Sequence, residues 1–192
     1  GATALLDIQT GGTLAPSGDL NIPSGTVTNG ATLNVTGATN VTGGTFNQNG
    51  TFTSGTFNMS SGALNGTSGV DLSGVTGALS FSGGAIDANG ALNFGAKTVD
   101  LTTTTVADAS SVSATNVSTA AAFNGNSGMD LSGVTGNVTL NSGASLAAGG
   151  ALTAPTGELD INTGSTVTAT TVSGSGLRLD GGSLTVDSLN ST

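Results

Sequence analysis

Apolar residues recur along this chain in short triplets, apolar–polar–apolar, set between turns rich in glycine. Leu6-Asp7-Ile8, Leu20-Asn21-Ile22, Leu33-Asn34-Val35, Phe57-Asn58-Met59 and Val70-Asp71-Leu72 open the series. Leu79-Ser80-Phe81, Leu92-Asn93-Phe94, Val99-Asp100-Leu101, Met129-Asp130-Leu131, Val138-Thr139-Leu140, Leu159-Asp160-Ile161, Leu177-Arg178-Leu179 and Leu184-Thr185-Val186 continue it. A period of two is the signature of β-strand, because successive side chains point to opposite faces. The outer residues of each triplet therefore face a core. The middle ones, among them Asp71, Asp100, Asp130, Asp160 and Arg178, face solvent. Gly, Ser, Thr, Asn and Val recur too densely for helix to develop.

Strands this short cannot bury a face as hairpins along the whole chain. Stacking does so: each strand pairs in parallel with its equivalent one coil away, and the coil interior becomes the core. The triplets at Leu79, Val99, Val138, Leu159 and Leu177 fall a coil or two apart if a coil is about 20 residues, with Val117 between them. An internal repeat supports this period. Asp71-Leu72-Ser73-Gly74-Val75-Thr76-Gly77 returns unchanged at Asp130-Leu131-Ser132-Gly133-Val134-Thr135-Gly136. Further echoes follow with a one-residue slip, Gly90-Ala91-Leu92 at Gly150-Ala151-Leu152 and Val99-Asp100-Leu101 at Leu159-Asp160-Ile161. That interval is three coils. The expected fold is all-β, a parallel β-helix (β-solenoid) with three short strands per coil. Roughly nine or ten coils, stacked at about 4.8 Å, make one domain over residues 1–192 and a rod about 45 Å long.

A second echo links Leu6-Asp7-Ile8-Gln9-Thr10-Gly11 to Leu159-Asp160-Ile161-Asn162-Thr163-Gly164 near the far end of the chain. This is either eight slightly short coils or seven and two-thirds coils with the motif on a different face. Pro16, Pro23 and Pro155 sit beside turns, where a missing N–H costs no central ladder bond. The stretch Thr102 to Ala122, rich in Thr, Ser and Ala, is where a larger or irregular coil is expected. No amphipathic helix, charged cap or proline plug marks Gly1 or Thr192, so the ends point to truncation or to end-to-end association through uncovered strand edges. A chain starting at Gly1 reads as a processed product or a piece of something longer.

Composition narrows the function. Eleven acids face only Lys97 and Arg178, for a net charge of −9, which excludes a phosphate-binding surface and so nucleic-acid binding. No apolar run approaches the ~20 residues of a spanning helix, so no membrane insertion is expected. Cys and His are absent, removing disulfide and thiol chemistry and the commonest general base. Disorder is disfavoured by 35% apolar residues with few charges.

Candidate sites are weighed against surface roles. Asp71 and Asp130, like Asp100 and Asp160, should lie ~14 Å apart along the axis, outside the roughly 5–10 Å of a glycosidase pair. Asp160 and Asp180 are possible coil neighbours, but no acid-base partner assembles around them. Gly83-Gly84-Ala85-Ile86-Asp87 and Gly181-Gly182-Ser183-Leu184 only approach the calcium-binding Gly-Gly-x-Gly-x-Asp repeat. Thr26-Val27-Thr28, Thr51-Phe52-Thr53, Thr102 to Thr105 and Thr166-Val167-Thr168-Ala169-Thr170 resemble ice-binding ranks, yet their spacings are not clean multiples of a coil. Asn before Gly at positions 29, 49, 65, 89 and 124 suits left-handed turns, where stacked amides can form ladders. The six Phe should fill the core. No catalytic, cofactor-binding or metal-binding residue is assigned, and no enzymatic activity is expected.

The stretch Asn137-Val138-Thr139-Leu140-Asn141-Ser142-Gly143-Ala144-Ser145-Leu146-Ala147-Ala148-Gly149-Gly150-Ala151-Leu152-Thr153 resembles the repeat regions of filamentous-haemagglutinin-type exoproteins and autotransporter passenger domains. The resemblance extends in style over most of the chain. It implies a right-handed β-helix, secreted and displayed at the bacterial cell surface as an adhesin stalk or fibre. The expected partners are other copies of the chain, head to tail, or flanking coils of a longer chain. The alternative is a ligand-binding solenoid, for ice or for surface glycans.

Overall fold

In the computed structural model, which describes residues 4–191 with the side chain of Ser191 excepted, the chain is all-β and every ladder between its strands is parallel. Gly1 and Thr192, the positions at which the sequence predicts uncovered strand edges, lie outside the described residues. The chain winds as a three-walled coil. Leu5–Ile8 starts the first wall, Thr13–Leu14 the second and Leu20–Ile22 the third, and Thr26–Asn29 then returns to the first wall above Leu5–Ile8. Long strands such as Thr32–Gln48 and Thr51–Asn65 bend through the corners and run along all three walls. No helix among these residues is long and apolar enough to cross a membrane.

The inward column of the first wall runs Leu6, Val27, Phe46, Leu64, Ile86, Val106, Phe123, Leu146, Val167, Leu184. That makes ten rungs, a rod of about 43 Å at ~4.8 Å per rung. The upper part of the third wall is a separate five-stranded sheet whose inward column is Val99, Val117, Val138, Leu159, Leu177. Those are the triplets the sequence period aligned. The second echo is resolved as well. Leu6-Asp7-Ile8 lies on the first wall and Leu159-Asp160-Ile161 on the third, so the motif has moved to a different face.

Coil length is not constant. One turn of the coil carries Val106 only as far as Phe123, whereas the next carries Ala122 to Ser145. The stretch 102–122 is the irregular coil that the sequence offers as one of two forms, with register shifts around Ala109 and a left-handed Asp108 (φ 54°); it is not the larger coil offered as the other, because its turn is short. The wide coils instead follow Phe57 and Ala122.

One continuous core fills the coil from Ile8 to Val172. All six Phe are buried in it, as expected, and five of them form a chain of ring contacts: Phe46–Phe52 at 5.1 Å, Phe52–Phe57 at 6.1 Å, Phe57–Phe81 at 5.8 Å and Phe81–Phe94 at 5.7 Å. Glycine serves the stack by letting neighbouring coils approach. A β-carbon on Gly50 would stand 2.2 Å from the carbonyl oxygen of Ala31 one coil below.

Candidate functional site

The repeated Asp-Leu-Ser-Gly-Val-Thr-Gly motif builds a corner. Asp71 Oδ1 accepts a hydrogen bond from the Ser73 N–H at 2.9 Å, and Asp130 Oδ1 accepts from Ser132 N–H at the same distance. Asn93 does this for Gly95 and Asp100 for Thr102, each at 2.9 Å. A short polar side chain thus folds over the strand end and satisfies the first amide of the turn. Leu72, Val75, Leu131 and Val134 then tuck back into the core. Both copies lie on the second wall, three coils apart, but the ladders join Gly69 to Ala91, Ser111 and then Asp130. Asp130 thus stands in the column of Gly69, two positions out of strict register, and the bulge between Ser111 and Ser113 widens the slip to three, putting Gly133 in the column of Asp71.

Polar side chains on the walls are largely occupied with one another. Asn58 donates to Asn40 at 2.8 Å and Asn40 to Asn21 at 2.8 Å, while Asn65, Asn47 and Thr28 form a second ladder at 3.2 and 3.1 Å. These amide ladders run along strands rather than at turns, because only the paired strands hold equivalent side chains one rung apart. Of the Asn residues before Gly, only Asn89 is left-handed (φ 48°). Asn29 instead points inward, wholly buried, and donates to Thr51 O at 2.9 Å.

A shallow cleft of about 290 Å³ opens between rungs at Gln48, Asn49, Asp71 and Asn93. Several of its polar groups already have partners. The buried Gln48, which sequence reasoning passed over because it falls outside any triplet, accepts from Asp71 N–H at 2.8 Å. Asn93 donates to Asp71 Oδ1 at 3.0 Å, and Asn49 accepts from Thr67 N–H at 3.0 Å.

Asp71, Asp100 and Asp130 are exposed, as the alternation predicts, but Asp160 is a partial exception. Its side chain is 16% exposed, and Arg178 Nη1 stands 3.7 Å from its Oδ2. The ladder places Asp160 beside Arg178 and Asn162 beside Asp180, so Arg178, which also reaches Asp180 Oδ2 at 3.2 Å, intervenes between the two acids. Asp100 is held below the usual carboxylate range, first by the Thr102 hydroxyl, with the Thr102 N–H and the Ser118 hydroxyl adding to it against an opposing effect of burial. Among the described residues no three acids converge to hold a metal ion.

The threonine ranks do not join. Thr26, Thr45, Thr105 and Thr166 share one first-wall column, but Ala63, Ala85, Ala122 and Ser145 interrupt it. Thr51-Phe52-Thr53 lies on the second wall, and Thr104 is buried with its hydroxyl donating to Gly83 O.

Two buried carboxylate oxygens, Asp87 Oδ1 and Asp160 Oδ1, have no hydrogen-bond partner among the described residues, and the exposed large apolar side chains gather at the two ends of the described stack. Leu5 is 71% exposed, Leu179 55% and Leu189 53%, in a molecule whose other large apolar side chains, Leu6 apart, are buried or half-buried. The strands Leu5–Ile8 and Leu177–Asp180 each pair along one edge only among the described residues. No protein family, no curated protein and no solved structure matches this chain.

Proposed function

We propose that this chain is a structural β-solenoid of a bacterial extracellular fibre or adhesin stalk, supplying length and stiffness and associating end to end through its terminal coils. The observation that carries this reading is the contrast between walls and ends. The walls present small side chains engaged in ladders and corners. The ends present leucines and a row of backbone donors and acceptors shaped to receive one more parallel coil. The filamentous-haemagglutinin and autotransporter-like style of Asn137 to Thr153 supports secretion and surface display. Electron microscopy of the purified chain is the test. Filaments one rod wide with a ~4.8 Å axial repeat are expected, and a strictly monomeric rod at high concentration overturns the self-association.

A further inference from the structure

The last third-wall strand, Leu177–Asp180, is paired below by Leu159–Asn162. The segment that fills this lower edge reads Leu159-Asp160-Ile161-Asn162-Thr163-Gly164-Ser165-Thr166-Val167, and the first coil reads Leu6-Asp7-Ile8-Gln9-Thr10-Gly11-Gly12-Thr13-Leu14. The two segments also fold alike. Gly164 and Gly11 are both left-handed (φ 80° and 83°), and the same turn closes each, Ser165 N–H to Asn162 O at 3.0 Å and Gly12 N–H to Gln9 O at 2.8 Å. The likeness continues onto the next wall, where Thr166 and Val167 lie under Ser183 and Leu184.

We propose that the first coil of a second copy stacks on the last coil of the first, in the register that residues 159–167 use beneath it. This rests on the end-to-end reading above and specifies its geometry. Leu6 lies on Leu177, Asp7 on Arg178, Ile8 on Leu179, Thr13 on Ser183 and Leu14 on Leu184. Arg178, now flanked below by Asp160, gains Asp7 above, so the only cation of the last two rungs sits between two acids. The third wall carries nine strands against ten on each of the others, among the described residues. In this register the second copy is turned by one wall, about a third of a turn, and its Leu5–Ile8 strand lies on the third wall above Leu177–Asp180. The coil then continues as one spiral across the junction. An unrotated copy would instead set Asp7 on Thr185.

The chain has no cysteine, so cross-linking reads this register directly. Residues paired across neighbouring strands lie at ~4.8 Å, within the Cα separation a disulfide spans. Single variants Asp7→Cys, Arg178→Cys and Thr185→Cys are mixed in pairs at ~0.15 M salt, where the repulsion between acidic copies is screened, and mildly oxidised. The Asp7→Cys with Arg178→Cys pair should give the dominant cross-linked dimer. Asp7→Arg in the otherwise unaltered chain should weaken assembly without changing the circular dichroism spectrum of the monomer. Dominance of the Asp7→Cys with Thr185→Cys product, or filaments without a preferred cross-link, overturns this register while leaving the fibre reading in place. Monomers of the unaltered chain under the same conditions overturn both.

Discussion

Phe57 and Phe123 have the same side chain and the same burial, both fully inaccessible, yet different surroundings. Phe57 touches three other rings, at 6.4 Å to Phe46, 6.1 Å to Phe52 and 5.8 Å to Phe81. Phe123 stacks between Val106 and Leu146, with no ring partner among the described residues. Truncation of either to alanine should cost about 3–5 kcal/mol from lost burial and the cavity left behind. Phe57→Ala also loses three ring contacts, and at about 0.5 kcal/mol each, the lower end for aromatic pairs, it should exceed Phe123→Ala by about 1.5 kcal/mol. Far-UV circular dichroism in urea measures this in a chain without Trp or Tyr. With a slope of about 2 kcal/mol per molar, the two midpoints should differ by about 0.7 M, Phe57→Ala being lower. Both residues lie in interior rungs, so loss of a terminal coil cannot mimic the difference. Equal midpoints, or a lower one for Phe123→Ala at unchanged slope, would refute the claim that the ring chain adds stability beyond burial.

Gly50→Ala drives a β-carbon to 2.2 Å from the Ala31 carbonyl oxygen, a backbone atom that moves only if the coil spacing opens. It should lower the thermal midpoint by the equivalent of about 1–3 kcal/mol, whereas Gly18→Ala, with nothing within 4 Å, should be near neutral. Asp100 should contribute to acid sensitivity. Its pKa is depressed in the folded chain, so its stabilisation is present above the unfolded value of about 4 and is lost as pH falls through the folded one. Asp100→Asn should therefore flatten the fall in urea midpoint between about pH 5 and pH 2 relative to the unaltered chain, and an unchanged slope would contradict this.

The two Asp-Leu-Ser-Gly-Val-Thr-Gly copies show how far a repeat can be trusted. Their spacing gives the coil length, because a coil must return each apolar residue to the same wall. Their register does not follow, because the coils between them differ in length, so that Asp130 stands in the column of Gly69 rather than of Asp71, and the bulge after Ser111 adds one position more. Asp160 and Asp180 make the same point for chemistry. Their separation fits an average coil, but the coil between them is shorter, so the ladder closes two positions early and puts Arg178 beside Asp160.

By itself the sequence determined that the chain is a parallel solenoid, that the apolar residues of its triplets face inward, and that its surface is small, polar and acidic, but not that Asn29 and Gln48 are buried among them. Those properties follow from alternation and composition, which are local. Which wall each triplet occupies depends on the summed lengths of all preceding coils. Those lengths vary as widely as the Val106–Phe123 and Ala122–Ser145 pairs show, so only the tertiary structure decided it. For the same reason, only the structure could reveal that Leu6-Asp7-Ile8 and Leu159-Asp160-Ile161 stand on different walls.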